Sequence, residues 1–167
     1  MNIGRLIPQV AYYIYAYAQL VKTGQITDGE EINFSVPTGN FGNILAAYYA
    51  KKLGLPVHQL ICASNKNNVL TDFFKTGLYD KNREFYVTSS PSMDILVSSN
   101  LERLIFELTD ENDKVTSDLL TDLSVEGNYQ ISKEMITKLQ GFVADWASED
   151  EISKEIQETF EEAKYVL

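Results

Sequence analysis

An apolar run at residues 32–36 leads into Pro37-Thr38-Gly39-Asn40-Phe41-Gly42-Asn43, and residues 44–53 leave it with helical character. The order strand, glycine loop, helix is the strongest constraint in the sequence. A helix that starts straight after a strand leaves its first N–H groups without partners, and these face an anion favourably together with the helix dipole. Gly39 and Gly42 can take positive φ and admit close approach to the main chain. Asn40 and Asn43 tolerate such conformations and can cap the helix. The segment reads as a phosphate cradle, with a plain strand-to-helix turn as the simpler alternative. It lacks the Gly-Lys-Ser/Thr ending of nucleotide-triphosphate loops. Its glycine spacing also misses the dinucleotide fingerprint.

Net charge sharpens this reading. At −10 over 167 residues, the chain is a poor partner for nucleic acid or an anionic membrane surface, which need basic patches. One cysteine, Cys62, precludes an internal disulfide framework and fits a reducing, cytoplasmic setting. No run is long and apolar enough to span a bilayer.

Taken in order, residues 5–22 carry a helical pattern (Leu6, Val10, Tyr13, Ile14, Tyr17) with Pro8 in the first turn and Gly24 beyond the last. The tyrosines suit core or subunit-interface packing better than stacking on a ligand. After the loop and its helix, Lys51, Lys52 and Gly54 give a helix end and Pro56 prevents continuation. Residues 57–63 form a second buried strand, so a βαβ unit and a parallel sheet are expected. Further expectations are a helix over 68–75 ended by Gly77, a strand over 85–88, and helical spacing from 93 to 108 with a break near 98–100. Beyond residue 110 the composition turns acidic, with helices expected over 115–123, 133–139 and 150–165. The organisation is therefore an α/β part, 1–109, and an acidic helical extension, 110–167.

Ligands of parallel sheets sit at the carboxyl ends of strands. Two loops lie there: the glycine loop and Ser64-Asn65-Lys66-Asn67-Asn68. Asn65 and Asn68 can donate to a substrate carboxylate or phosphate; equally, Asn67 can cap a helix beside a solvated Lys66. Ser92 fits a helix cap. Asn100 and Arg103 share a helical face. Arg103 can clamp a phosphate, although a salt bridge is the commoner use. His58 opens a strand and Cys62 lies within one, so both read as structural. No calcium or zinc spacing is present.

Four stretches together resemble threonine synthase, a pyridoxal-phosphate enzyme. They are Asn2-Ile3-Gly4-Arg5-Leu6-Ile7-Pro8-Gln9, the segment 36–56 around the glycine loop, Ile61-Cys62-Ala63-Ser64-Asn65-Lys66-Asn67-Asn68-Val69-Leu70-Thr71-Asp72-Phe73-Phe74, and Ser90-Pro91-Ser92-Met93-Asp94-Ile95 with Ser98-Ser99-Asn100-Leu101-Glu102-Arg103. The resemblance runs from residue 2 to about 108. It implies a three-layer parallel sheet with flanking helices, the tryptophan-synthase-β-like fold, here the large-domain portion. It implies pyridoxal 5′-phosphate as cofactor, its phosphate on Gly39, Asn40, Phe41, Gly42 and Asn43. It further implies conversion of O-phospho-L-homoserine and water to L-threonine and phosphate, with substrate contacts from Asn65, Asn68, Asn100 and Arg103.

In that family the lysine that carries the cofactor lies in a Ser-Phe-Lys-Asp-like motif, and this sequence has none. Phe74-Lys75-Thr76 shares two letters with it but belongs to a stretch matching a different part of the family. The chain also stops at Tyr165-Val166-Leu167, before the family's threonine-bearing C-terminal stretch. The expectation is an internal fragment that keeps the phosphate loop, holds no catalytic lysine and is inactive alone. Sheet edges left open would favour self-association. The alternative is a non-catalytic module for a phosphorylated small molecule.

Overall fold

The computed structural model describes residues 3–164. In chain order the elements are α1 (Ile3–Lys22), β1 (Ile32–Pro37), α2 (Gly42–Lys52), β2 (Val57–Ser64), α3 (Val69–Thr76), β3 (Leu78–Asp80), α4 (Leu101–Leu108), α5 (Asp113–Val125), β4 (Asn128–Gln130), α6 (Lys133–Lys138), β5 (Phe142–Trp146) and α7 (Glu149–Ala163), with a 3-10 turn at Pro91–Met93. Strands β1, β2 and β5 form a parallel sheet in the order β1-β2-β5, and β3 pairs with β4 antiparallel. The fold is α/β, a parallel sheet with flanking helices, as the βαβ pattern predicts.

Strand alternation fixes which face is covered. Val36, Cys62 and Ala144 lie side by side across the three strands, and all three are buried. The next row, Pro37, Ala63 and Asp145, points the other way, where Pro37 and Asp145 are exposed. The covered face meets α2, whose Ile44, Leu45, Ala46, Ala47 and Ala50 are fully buried. Alanines at this density let a helix pack closely on more than one side, and α2 sits against α1 as well as the sheet. Beside it, α3 turns Val69, Leu70 and Phe73 inward. Phe73 meets the rings of Phe74, Tyr79 and Tyr129, at centroid distances of 5.5, 5.9 and 6.1 Å.

Several expectations need correction. No strand forms at 85–88. Instead the Asn67 side chain plays the missing neighbour: its Oδ1 accepts from the Tyr86 N–H (2.9 Å) and its Nδ2 donates to the Tyr86 carbonyl (2.8 Å). The helical spacing at 93–108 resolves into the end of the 3-10 turn, an irregular stretch over 94–100 and α4, so the expected break near 98–100 is real and begins earlier. Ser92 sits inside the 3-10 turn and caps no helix; Ser90 precedes it. Acidic helices do follow residue 110, but so do β4 and β5, and β5 completes the same sheet as β1 and β2. Phe142-Val143-Ala144-Asp145-Trp146 is short and carries an acid, so its composition blends into the helices around it. The expected end of the last helix, at residue 165, lies outside the described residues.

Truncation of the fully buried Phe73 tests this core. Phe73→Ala is expected to cost about 3–5 kcal/mol in urea denaturation, and Phe73→Leu well under half of that.

Candidate phosphate site at the glycine loop

Residues 36–44 enclose a pocket of about 200 Å³ together with Gln9 and Ser92. Hydrogen bonding dictates how the loop presents itself. The Gly39 carbonyl accepts from the Ser98 hydroxyl (2.9 Å). The Asn40 carbonyl accepts from the Asn100 N–H (3.2 Å) and from Asn100 Nδ2 (2.7 Å). In a trans peptide the C=O of one residue and the N–H of the next point opposite ways. Turning these two carbonyls toward 98–100 therefore turns the Asn40 and Phe41 N–H groups the other way.

Phe41 then starts α2 from the left-handed region, φ 62° and ψ 2°, and no side chain caps the helix. A non-glycine residue there costs of order 1 kcal/mol and persists only where its surroundings over-determine it. Here they do: the Phe41 ring is buried and packs 5.9 Å from Phe74 and 6.1 Å from Phe142. The sequence reading gave the positive φ to Gly39 and Gly42; the structure gives it to Phe41, while Gly42 is helical. Gly39 is required for a different reason. A Cβ there would stand 2.7 Å from the Ser92 carbonyl oxygen and 3.2 Å from Met93 Cα. Asn43 does not cap α2 either. Its side chain clasps α1: the Tyr13 hydroxyl donates to Asn43 Oδ1 and to its carbonyl (3.0 Å), and Asn43 Nδ2 donates to Gln9 Oε1 (3.1 Å). Burial pushes the Tyr13 hydroxyl up to about 12, so it stays a neutral donor.

Beneath the loop, the Thr38 hydroxyl donates back to the Val36 carbonyl (2.6 Å). Burial pushes the Cys62 thiol up to about 11, against a smaller pull from the Thr38 and Ser64 hydroxyls. Cys62 is accordingly a buried, unreactive thiol at neutral pH. His58 lies exposed beside Glu31, 3.4 Å away, and lines no part of the pocket.

The remaining sequence candidates separate. Asn100 belongs to the site, as a support of the loop. Asn65 lies at the end of β2, where its amide donates to Thr88 Oγ1 (2.9 Å) and Asp94 Oδ1 (2.8 Å). Asn68 Oδ1 accepts from Arg83 (3.0 Å), which also bridges to Asp72 (2.8 Å). Arg103 lines another cleft, with Tyr49, Glu107 and Thr116. Lys75 pairs with Asp145 at 3.1 Å, outside the pocket lining. Sequence reasoning missed Gln9, Tyr13, Thr88, Asp94 and Ser98, which act through long-range hydrogen bonds that leave no local pattern.

Asp94 deserves its own balance. Burial raises its pKa, but the Thr88 N–H and hydroxyl and the Asn65 and Asn67 amides outweigh this and hold the carboxyl below its ordinary 3.8. A carboxylate depressed in the folded state adds stability above its unfolded pKa, and that stability is lost as pH falls through the folded value. Protection of the Thr88 amide from hydrogen exchange is therefore expected to hold at neutral pH and to fail only as the pH falls below the ordinary carboxylate range, before the β2 amides open. Gly39→Ala, which drives a methyl into the Ser92 backbone, is expected to cost about 1–3 kcal/mol in chemical denaturation.

No protein-family model matches the chain. It is 48% identical over 169 residues to threonine synthase-like 1 of Homo sapiens, an alignment covering 100% of this chain and 23% of that protein. It is 36% identical over 171 residues to the threonine synthase of Saccharomyces cerevisiae, covering 96% and 33%. The crystal structure of pyridoxal-phosphate-bound threonine synthase from Brucella melitensis superposes with a TM-score of 0.92 at 36% identity, covering 99% of this chain and 35% of that one. The chain thus spans well under half the length of these relatives. Over its whole length it is homologous to one segment of the threonine synthases, and it folds as that segment does.

Proposed function

We propose that the loop 39–43 holds the phosphate of pyridoxal 5′-phosphate, and that the chain serves threonine synthesis from O-phospho-L-homoserine and water, releasing phosphate. One observation carries this reading: the inward carbonyls of Gly39 and Asn40, which aim the following N–H groups away at the start of an uncapped helix. Such donors hold a phosphate without a lysine, and no basic residue lies within the loop. The solved Brucella relative is a pyridoxal-phosphate-bound enzyme, which supports that identity for the phosphate.

When bound, the cofactor supplies the electron sink for γ-phosphate elimination and water addition at the β-carbon. The residues here hold and orient. Gly39, Asn40, Phe41, Gly42 and Asn43 offer backbone donors, Ser98 and Asn100 fix the direction of those donors, and Gln9 and Tyr13 seat Asn43. Asn65, Asn68 and Arg103 take structural hydrogen bonds or line other surface, so their part toward substrate is indirect. The sequence carries no Ser-Phe-Lys-Asp-like lysine motif, so this chain by itself binds without turning over substrate. Among the described residues no helix is long and apolar enough to cross a membrane. Self-association through the open sheet edges and the exposed Ile7, Tyr12 and Tyr15 of α1 fits the same reading.

The test is a titration with pyridoxine 5′-phosphate, which has no aldehyde to react with lysines, against pyridoxine as control. A native-state ligand raises stability with the logarithm of its concentration relative to Kd, by about 2.7 kcal/mol at a hundred times Kd. The phosphorylated compound is expected to raise Tm and pyridoxine to leave it unchanged. Equal effects of the two would remove the phosphate reading. Borohydride reduction with pyridoxal phosphate is expected to label no single lysine stoichiometrically; complete labelling of Lys75 would overturn the claim that the chain alone is inactive.

A further inference from the structure

We propose that Asp94 is the positioning residue of the phosphate pocket: it fastens the irregular segment 86–94 against the glycine loop, so that Ser92 forms the wall opposite the backbone donors. The proposal rests on the reading of the loop as a phosphate holder and adds what sets the pocket's width.

Ser92 lines the same pocket as residues 38–43, and its carbonyl occupies the space a Cβ at Gly39 would need. The wall and the loop are therefore in direct contact, and a shift of one displaces the other. Yet the wall belongs to no strand or α-helix. Between β3 and α4 the only regular feature is the short 3-10 turn at Pro91–Met93. Its placement falls to side chains, and these converge on one carboxylate. Asp94 Oδ2 accepts the Thr88 N–H (2.9 Å). Asp94 Oδ1 accepts the Thr88 hydroxyl (2.8 Å), Asn65 Nδ2 (2.8 Å) and Asn67 Nδ2 (2.9 Å). Thr88 belongs to the segment itself, whereas Asn65 and Asn67 stand just beyond the carboxyl end of β2. One group thus ties the wall to the sheet end that also anchors the loop, where the Thr38 N–H donates to the Ala63 carbonyl (2.8 Å).

The donor set demands an ionised carboxylate. Both oxygens receive only donors, so an amide at this position would bring an NH₂ against one of them whichever way it turned. Hydrogen bonds to a charged group contribute more than neutral ones, and leaving a donor facing a donor costs more than losing a bond. Asp94→Asn is therefore a sharp lesion of nearly unchanged size. Thr88→Val is a milder one, which keeps the backbone N–H and the side-chain shape and removes only the hydroxyl.

The experiment uses the whole chain, pyridoxine 5′-phosphate as probe, calorimetric Kd, and the ³¹P shift of the bound probe at saturation. Asp94→Asn is expected to raise Kd about tenfold and Thr88→Val about threefold, and both are expected to move the bound ³¹P shift, because the donors meet the phosphate in a changed geometry. Unchanged Kd in both variants overturns the proposal. So does a raised Kd with an unmoved bound shift, since a residue that only stabilises the fold reduces the competent population without altering the complex. Should Asp94→Asn fail to fold, Thr88→Val decides by the same two readouts. Wild-type protein that does not bind the probe removes the phosphate reading and this proposal with it, whereas wild-type binding with indifferent variants removes only the role of Asp94.

Discussion

The orientation of two peptide planes governs this site. A backbone N–H can serve a ligand only if the carbonyl preceding it has somewhere else to go, because planarity couples the two. At Gly39 and Asn40 the carbonyls are taken by the Ser98 hydroxyl and by both donors of Asn100. Each such bond contributes about 1 kcal/mol net, but leaving a buried carbonyl unmet costs about 1–3 kcal/mol. The loop therefore has a strong reason to keep its carbonyls inward and its donors outward before any ligand arrives. Preorganisation of that kind is what makes dipoles effective toward an anion, since nothing must reorient on binding.

The support of Ser98 traces into the second half of the chain. The Tyr79 hydroxyl accepts the Ser98 N–H (2.8 Å) and donates to the Leu96 carbonyl (3.0 Å). Burial pushes that hydroxyl up to about 12, so it remains a neutral donor. The Tyr79 ring stacks on Tyr129 of β4, with centroids 5.3 Å apart and planes 10° from parallel. A line of contacts thus runs from β4 through Tyr79 and Ser98 to the Gly39 carbonyl. The acidic second half is part of the glycine loop's foundation as well as of the sheet. Glu149 makes a similar link from α7, accepting the Ser89 N–H at 2.8 Å.

Much of this architecture was legible in residue order. The βαβ unit shows in two apolar runs joined through residues 44–53, with Gly54 and Pro56 marking the turn, and the loop shows in its glycines and asparagines. Physics that acts locally leaves local marks. Three kinds of feature left none. Phe41 occupies the left-handed region because its ring is held by Phe74 and Phe142, far along the chain, and no propensity foretells that. Gly39 is needed for contact with Ser92, which only the tertiary fold brings near. The stretch 85–88 has the composition of a strand, yet it finds the amide of Asn67 where a neighbouring strand would be. In each case a partner far along the chain overrides the local preference.

Charge raises the sharpest apparent conflict, since a chain of net charge −10 is read here as holding a dianion. Distance and dielectric reconcile the two. Charges exposed to water interact through a high dielectric and are screened over about 8 Å at physiological ionic strength. The helix N-terminus, by contrast, presents about half a positive charge in direct contact with a bound group. At 4 Å and an effective dielectric near 20, unit charges interact by about 4 kcal/mol, against about 1 kcal/mol in bulk water. Local donors therefore outweigh a diffuse acidic surface, provided no carboxylate enters the cradle. None does: Gln9, Ser92 and residues 36–44 line the pocket without an acidic side chain among them. The acid next to this wall, Asp94, has both oxygens committed to Thr88, Asn65 and Asn67, so its charge is spent on donors that hold the wall in place.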